Sequence, residues 1–563
     1  MKTINIFRLC VVVLVFMFSV SMIQAQDTEL IISSIKKEVG RSKEGLKIDK
    51  LQPPFFISYA LVESSHMEIN ASLGMLLQSI NIRQRSGYPM LLVGSYERNN
   101  IGLLDFSSSG NPSAVTLESD PVGIATAIWR DMDNQYKNAA EKYETKISVI
   151  RQQNMKEEDL AIADYEKVTS VNIIQKPVEQ NQDKSYWENY VKKASEALRK
   201  FPELTKSNVT VYVRNSMIYY YDTENSRYAV SVPYCRLVLN VEATTEDGHE
   251  LNDKMQYDFS SSKQLPSLEV FTKECEAFAT SFLKLLDAPM LDDSYSGPVL
   301  FEDQAVAEIV QSKFMNQQSI FAKAKPVVSD LMRQYYRGGE MFEGNNLEMM
   351  MNKKIISRSL SLKAITGMSV YEGIPLEGGY PVDFEGVVPE KEFYLVENGV
   401  LRSMLNGRIP TKKILGSNGH NRFNFNNMRP QIAPGNILLT SNDTYSKEDL
   451  KKKLLDAAKE EDLEYAYIVR RMWGNGVRMI YRIYVDDGRE ELVRGAVLDD
   501  FTIKSFKRIL GAANKYYVRN TASFGSLATF IVPDGLLFEE LEVRRNGSIE
   551  LKTPFIVPRP FDN

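Results

Sequence analysis

The sequence predicts an α+β protein in which an N-terminal mixed α/β region, with helices on an antiparallel sheet, precedes a β-rich C-terminal domain. Residues 209–213 and 237–241 alternate apolar and polar side chains, the period of half-buried strands. Residues 268–285 repeat apolar side chains at helical spacing over one long face. The segment 289–298 is short and rich in Asp, Ser, Gly and Pro, and it therefore predicts the main domain boundary.

The first 25 residues have the pattern of a signal peptide. Lys2 and Arg8 precede an apolar stretch, 9–23, and Ala25 offers a small residue for cleavage. We expect export to the periplasm or cell envelope, with cleavage after Ala25. An uncleaved anchor is the alternative, although about 15 apolar residues fall short of the roughly 20 that span a bilayer. Cys10 lacks the preceding small residue of a lipoprotein, and no later segment is apolar for long enough to span a membrane.

Residues 26–130 are predicted to form an N-terminal α/β domain. Ile31, Ile35 and Val39 lie at helical spacing, and Gly40 is the predicted end of that helix. From Pro54 to about Tyr96 the period changes to that of strands.

Residues 131–290 are predicted to form a helical segment, an antiparallel sheet and a long helix. Apolar residues between 136 and 150 recur at steps of four and three, which fits a coiled-coil seam or, as we favour, an amphipathic helix on a sheet. A helix around Trp187 should end near Pro202. Strands should fill 208–259, with a hairpin turn at Asp247 and Gly248.

The C-terminal domain is predicted to span 297–563. Its expected elements are listed in chain order: a helix over 303–315, a strand over 393–397 that turns back at Val400, a helix over 446–463 with a capping box between Ser446 and Asp449, and a strand over 477–485 that ends in a turn at Asp487 and Gly488.

Composition excludes several classes of function. The formal charge is −5 over 563 residues, so no global electrostatic attraction to nucleic acid is expected. The chain has only three cysteines, and after signal cleavage Cys235 and Cys275 remain. Two buried free thiols are favoured over one disulfide.

Common catalytic motifs are missing from the sequence. There is no P-loop, no GxSxG elbow and no pair of histidines one helical turn apart. His66, His249 and His420 are isolated, and we expect a sheet-surface residue, a hairpin-turn residue and a loop residue; their convergence in space stays an open alternative. The acidic clusters 460–462 and 499–500 are expected to be solvated faces or helix ends.

Four segments nevertheless resemble one family, TldD/PmbA, in that family's order. They are GPVLFEDQAVAEIV at 297–310, VDFEGVVPEKEFYLVENGVLRSMLNGR at 382–408, YVDDGREELVRGAVL at 484–498 and SLATFIVPDGLLFEELEV at 526–543. The resemblance covers roughly 297–555 and is weaker but collinear upstream. It implies a β-rich C-terminal domain of the TldD/PmbA type.

The resemblance also implies two kinds of chain. TldD-type chains carry HExxxH in the helix that opens this domain and a later Cys, which together hold zinc for peptide hydrolysis. PmbA-type chains lack the motif and pair with a TldD-type partner. Here the aligned positions 303–308 are DQAVAE, and 519–526 has no Cys. No catalytic, cofactor-binding or metal-binding residue can therefore be transferred, and no cofactor is expected.

Asp303 and Glu308 admit two interpretations. Carboxylates bind Mg²⁺ or Ca²⁺, so the two could hold a hard cation. Acidic residues at a helix start are more often caps, and we favour that interpretation for Asp303.

We therefore expect a metal-free PmbA-like pseudoenzyme, one subunit of a peptidase-type complex that acts on unfolded peptides. Its expected partner is a zinc-bearing TldD-like chain, or a second copy in a homodimer. Two alternatives remain: an active metallopeptidase with an atypical site, and a structural or peptide-binding envelope protein without proteolysis. Strand addition would be the natural way to capture an unfolded peptide.

Overall fold

The computed structural model describes residues 27–553, apart from 105–111, 156–159, 293, 317, 329–331, 333, 335–344 and 474–475. The predicted signal peptide, with its cleavage site after Ala25, lies outside the described residues. In the part of the chain that is described, no helix combines the length and the apolar character needed to cross a membrane.

Six α-helices are described. They are α1 (27–45), α2 (Pro121–Gln152), α3 (Lys184–Glu196), α4 (Leu268–Asp287), α5 (Gln304–Phe314) and α6 (Lys447–Glu460). Short 3₁₀ helices lie at Ala197–Lys200, Ser262–Gln264, Asn346–Met350 and Ile503–Lys507.

The described part of the N-terminal region contains nine strands. They are β1 (Pro54–Ser72), β2 (Met75–Val93), β3 (Leu103–Leu104), β4 (Ser113–Ala114), β5 (Asn172–Ile174), β6 (Leu204–Asp222), β7 (Arg227–Ser231), β8 (Tyr234–Thr244) and β9 (Glu250–Phe259). All except β3 belong to one sheet of order β4-β2-β1-β6-β7-β5, in which β8 also pairs with β6 and β9 pairs with β8. The long central strands β1, β2, β6, β8 and β9 are antiparallel to their neighbours, as predicted.

The C-terminal region contributes the remaining strands. They are β10 (Tyr295–Glu302), β11 (Val327–Val328), β12 (Leu360–Ala364), β13 (Val370–Tyr371), β14 (Ile374–Pro375), β15 (Phe393–Glu397), β16 (Val400–Leu401), β17 (Asn421–Asn424), β18 (Arg429–Ile432), β19 (Asn436–Ser441), β20 (Thr444–Tyr445), β21 (Tyr465–Trp473), β22 (Gly476–Tyr484), β23 (Glu490–Val493), β24 (Ala496–Asp499), β25 (Ile509–Ala513), β26 (Tyr516–Ser523), β27 (Ser526–Pro533) and β28 (Gly535–Arg545).

Two large sheets dominate this C-terminal region. One has the order β10-β21-β22-β24-β28-β25-β20, with β23 beside β22, and the other has the order β16-β15-β12-β19-β27-β26. Helix α5 packs into a core that both sheets supply. Its predicted apolar face of Val306, Ile309, Val310 and Phe314 is fully buried, which confirms the expected β-rich domain with a helix near its start.

The helices of the N-terminal region lie on the sheet. Ile128, Met132 and Tyr136 of α2 pack against Ile57 and Tyr59 of β1, so α2 is an amphipathic helix on a sheet rather than a coiled-coil seam. Helices α3 and α4 share a second cluster with β6 and β8. The boundary predicted at 130 falls inside α2, and strands from both predicted segments pair in one sheet.

Three local predictions were wrong. Helix α1 passes Gly40 and ends at 45. A helical glycine costs about 1 kcal/mol, but the extra turn lets Lys43 Nζ donate to the carbonyls of Pro54 and Phe55, at 2.7 and 2.6 Å.

The other two concern helix caps. The Ser446 hydroxyl caps α6 by accepting from the Asp449 amide, as in a capping box. The Asp449 carboxylate, however, accepts from the Ser446 hydroxyl at 2.7 Å and not from the Ser446 backbone amide, so the second bond of a capping box does not form. Asp303 occupies the cap position of α5, yet its side chain makes no capping bond. It instead binds Lys447 Nζ at 2.6 Å, because a positive φ of 47° turns the residue out of the usual capping geometry.

Candidate functional site

A cleft of about 930 Å³ lies between the two regions of the chain. Edge strand β9 of the N-terminal sheet forms one wall, edge strand β26 forms the other, and α5 and the end of β21 complete the lining. Pockets that bind small ligands are usually about 300–1,000 Å³, so this cleft is large enough for a ligand or a peptide segment.

Glu308 projects from α5 into this cleft. One carboxylate oxygen accepts from the Met472 amide at 2.6 Å, and the other accepts from Gln304 Nε2 at 2.9 Å. Arg519 of β26 completes an ion pair at 3.2 Å. Burial raises the pKa of Glu308, and the positive charge of Arg519 opposes that rise.

Two further ion pairs lie on the walls. Arg471 Nη1 binds Asp253 at 2.7 Å, where the Asp253 side chain is 3% exposed. Arg236 Nε binds Asp258 at 2.7 Å. Asp258 also accepts from the Ala522 amide of β26 at 3.1 Å, so a side chain of one edge strand is tied to the backbone of the other.

The outer edges of β9 and β26 face each other without a shared ladder. Among the described residues β9 pairs only with β8, and β26 only with β27. Ser523 and Ser526 flank a two-residue turn and form the first pair of the hairpin, so alternate residues of β26, including Val518, direct their backbone groups away from β27. Unpaired strand edges are templates for another extended chain.

The donor set at the aligned metal positions does not fit zinc. Asp303 is bound to Lys447, and Glu308 is bound to the Met472 amide, Gln304 and Arg519. Zinc prefers imidazole, thiolate and carboxylate donors in a tetrahedral set, whereas here a guanidinium lies beside the only carboxylate of that helix that faces the cleft. Nor do three His, Cys, Asp or Glu residues cluster as a metal site anywhere in the described residues. The interpretation of Asp303 and Glu308 as a joint cation site has no support from their contacts.

The three histidines have the structural surroundings that were expected. His66 lies on β1, stacked on Tyr212 and 3.6 Å from Glu68. His249 lies in the β8–β9 turn, 3.0 Å from Arg494. His420 is fully buried in a loop, where burial lowers its pKa to about 3.

The remaining cysteines are both free and buried, as predicted. Cys235 Sγ donates to Gln180 Oε1 at 3.1 Å. Burial raises the pKa of Cys235 to about 12 and raises the pKa of Cys275 as well, so neither thiol is a nucleophile at neutral pH.

Apart from Glu308, the charged residues of the cleft were not identified from the sequence. Each of Asp253, Asp258, Arg471 and Arg519 belongs to a strand rather than to a motif. The sequence offered only a weak indication of a functional role, namely that a charged residue such as Arg471 lies inside the mostly apolar strand YAYIVRRMW. Only the register and the meeting of two sheets bring the opposite charges together.

Comparison with known proteins agrees with this architecture. Residues 294–545 match the model of the PmbA/TldA metallopeptidase C-terminal domain. No curated protein matches the sequence at a significant level.

Several solved structures are similar. A proposed modulator of DNA gyrase from Thermotoga maritima has a TM-score of 0.55 at 14% identity, covering 87% of this chain and 96% of its own. TldE from Thermococcus kodakarensis has a TM-score of 0.54 at 12% identity, covering 91% and 100%. A third structure, again a proposed modulator of DNA gyrase, from Bacteroides thetaiotaomicron, has a TM-score of 0.53 at 12% identity, covering 92% and 98%. These likenesses show a shared fold, and the domain match shows that residues 294–545 are similar to the C-terminal domain of the PmbA/TldA metallopeptidases.

Proposed function

We propose that this chain is an exported, metal-free, peptide-binding subunit of a TldD/PmbA-type assembly. The observation that carries the proposal is the Glu308–Arg519 ion pair, which lies in a large cleft at the position aligned with the family's zinc motif. A large cleft lies where the resemblance places the metal motif, but the aligned residues are not a set of zinc donors, and such a site can hold a peptide without hydrolysing it.

Binding would use the free edge of β26. An extended peptide that adds to this edge gains main-chain hydrogen bonds whatever its sequence. The walls of the cleft leave room for its side chains, and β9 limits access from the other side. A folded substrate presents few unpaired backbone groups, so the preferred ligand is unfolded.

The partner and the location belong to the same proposal. The family resemblance supports pairing with a zinc-bearing TldD-like chain, with a homodimer as the alternative, and the pattern of residues 1–25 supports export to the periplasm or envelope. Co-purification from the native envelope should recover a relative that contains HExxxH. Recovery of this chain alone would contradict the pairing.

Metal analysis tests the metal-free part. The chain that begins at residue 26 is incubated with ZnCl₂, desalted and analysed for bound zinc and for cleavage of an unfolded protein. We expect far less than one zinc per chain and no cleavage that a chelator abolishes. Stoichiometric zinc, or chelator-sensitive proteolysis, would favour the atypical peptidase instead.

Peptide binding is tested with a fluorescent unfolded peptide and fluorescence anisotropy. Val518→Pro removes one backbone donor from the free edge of β26, and because that donor takes no part in the β27 ladder the strand should persist. We expect Val518→Pro to weaken binding strongly and the matched Val518→Ala variant, which keeps the amide, to bind nearly as wild type. Equal weakening by both variants would refute strand addition.

A further inference from the structure

The charges of the cleft are unbalanced. Five basic side chains line it, Arg214, Arg236, Lys254, Arg471 and Arg519, against three carboxylates, Asp253, Asp258 and Glu308. Each carboxylate is committed to one arginine: Asp253 to Arg471, Asp258 to Arg236 and Glu308 to Arg519. Arg214 and Lys254 are left without an ion pair among the described residues. The whole chain has a formal charge of −5, so this local positive excess is not a general property of the surface.

Arg214 lines the cleft near Tyr234 and Arg236. Its guanidinium lies 5.2 Å from the centroid of the Phe425 ring, a contact that leaves the positive charge uncompensated by a carboxylate. Burial lowers the pKa of Arg214, and neighbouring Arg236 lowers it further. An arginine still remains charged at neutral pH, so an anion that reaches it would relieve a real electrostatic cost.

Lys254 is the second uncompensated cation. Its Nζ donates to Gln256 Oε1 at 3.0 Å and lies 4.7 Å from the centroid of the Trp473 ring. An ammonium has three donors, so hydrogen-bonding capacity remains. Arg519 adds one more unused hydrogen-bond donor, because its Nη1 is buried without a hydrogen-bond partner among the described residues.

We propose that the cleft selects acidic peptide segments, whose Asp and Glu carboxylates bind Arg214 and Lys254. This inference rests on the proposed peptide-binding function and adds the substrate class. The backbone of the peptide would bind the edge of β26, as any sequence can, and its carboxylates would supply the two missing counter-charges. Charge complementarity then gives preference among sequences where strand addition gives none.

The test measures the affinity of three unfolded peptides of equal length by anisotropy. One peptide is rich in Glu, one has Gln at each of those positions, and one has Lys there. All three are amidated at the C-terminus, and a free-acid version of the Gln peptide separates a terminal carboxylate from side-chain carboxylates. We expect the order Glu, then Gln, then Lys, with the Glu advantage shrinking as salt rises.

Variants assign the effect to the two residues. Lys254→Gln and Arg214→Gln should each weaken the Glu peptide by about tenfold, the size of a lost charged hydrogen bond, and should leave the Gln peptide nearly unchanged. Lys273→Gln makes the same change of charge on the exposed face of α4 and is the control. Circular dichroism and retained binding of the Gln peptide show that each variant is folded.

The possible results separate the two proposals. If the Glu and Gln peptides bind equally and the cleft variants change neither, the acidic preference is refuted while peptide binding stands. If no peptide binds wild type, the proposed function itself fails. If only the free-acid peptide gains affinity, a terminal carboxylate is the ligand and the preference for acidic segments is refuted.

Discussion

The Glu308–Arg519 ion pair gives the sharpest test of how the cleft is stabilised. The change is Arg519→Met, which removes the charge and keeps most of the apolar stem. Glu308 is 8% exposed and Arg519 is 20% exposed at the side chain, so Glu308 would be left as a charge in a largely buried site. Removing one partner of a buried pair costs about 3–5 kcal/mol.

The structure favours the lower end of that range. Glu308 keeps two donors, the Met472 amide and Gln304 Nε2, which continue to stabilise its carboxylate. Partial exposure of Arg519 also means that the pair is screened in part by water. We therefore expect a loss of about 3 kcal/mol in the free energy of unfolding at pH 7.

The loss should depend on pH with a definite sign. Burial already raises the pKa of Glu308, and without Arg519 that pKa would rise further. A carboxyl group with a raised pKa in the folded state costs stability as pH rises from the unfolded value of about 4.3 through the folded value. The destabilisation by Arg519→Met should therefore be large at pH 7 and smaller near pH 4.5.

Urea unfolding followed by circular dichroism measures this effect at both pH values. Arg508→Met is the control, because Arg508 pairs with Glu539 and Glu540 while 58% exposed and should cost less than about 1 kcal/mol. The double variant Glu308→Gln with Arg519→Met should recover part of the loss, since a neutral amide needs no counter-charge. A loss that is equal at pH 7 and pH 4.5, or no recovery in the double variant, would refute this reasoning.

Three other predictions concern the rest of the chain. Cys235 and Cys275 should resist a thiol reagent at pH 8 in the native protein and react fully in urea, because burial raises both pKa values; rapid native labelling would contradict their burial. The pKa of His420 is lowered to about 3, so this side chain stays neutral in the folded state but is protonated below about pH 6.5 in the unfolded state. Acidification should therefore lower the free energy of unfolding by up to about 1.4 kcal/mol per pH unit through His420. If a His420→Gln variant loses stability with falling pH as steeply as wild type, His420 is not the cause. Gly399→Ala should cost clearly more than Gly373→Ala in urea unfolding, since both glycines have positive φ but only at Gly399 would a Cβ lie 2.7 Å from the carbonyl oxygens of Ile356 and Ser357; equal losses would show that the close approach does not matter.

Much of the local structure was predictable because it depends on neighbouring residues. Period-two patterns gave the long strands β1, β2 and β6, and helical spacing gave α2, α3 and α4. The return strand at Val400 was predicted as well, and the turn before it places both Asn398 and Gly399 at positive φ. The failures at Gly40, Asp303 and Asp449 share a cause. In each case a hydrogen bond forms other than the one the local pattern predicts: Lys43 binds carbonyls beyond α1, Asp303 binds Lys447, and the Asp449 carboxylate binds the Ser446 hydroxyl rather than its amide. The first two partners come from elsewhere in the fold.

The sequence by itself determined the family resemblance, the absence of HExxxH at 303–308 and the two kinds of secondary structure, because each depends on residues close together in the chain. Only the tertiary structure decided what replaces the missing motif. Glu308 and Arg519 are separated by more than two hundred positions and meet because α5 packs beside β26. The two strand edges that bound the cleft come from different sheets, and the imbalance of charge between them exists only once those sheets have come together.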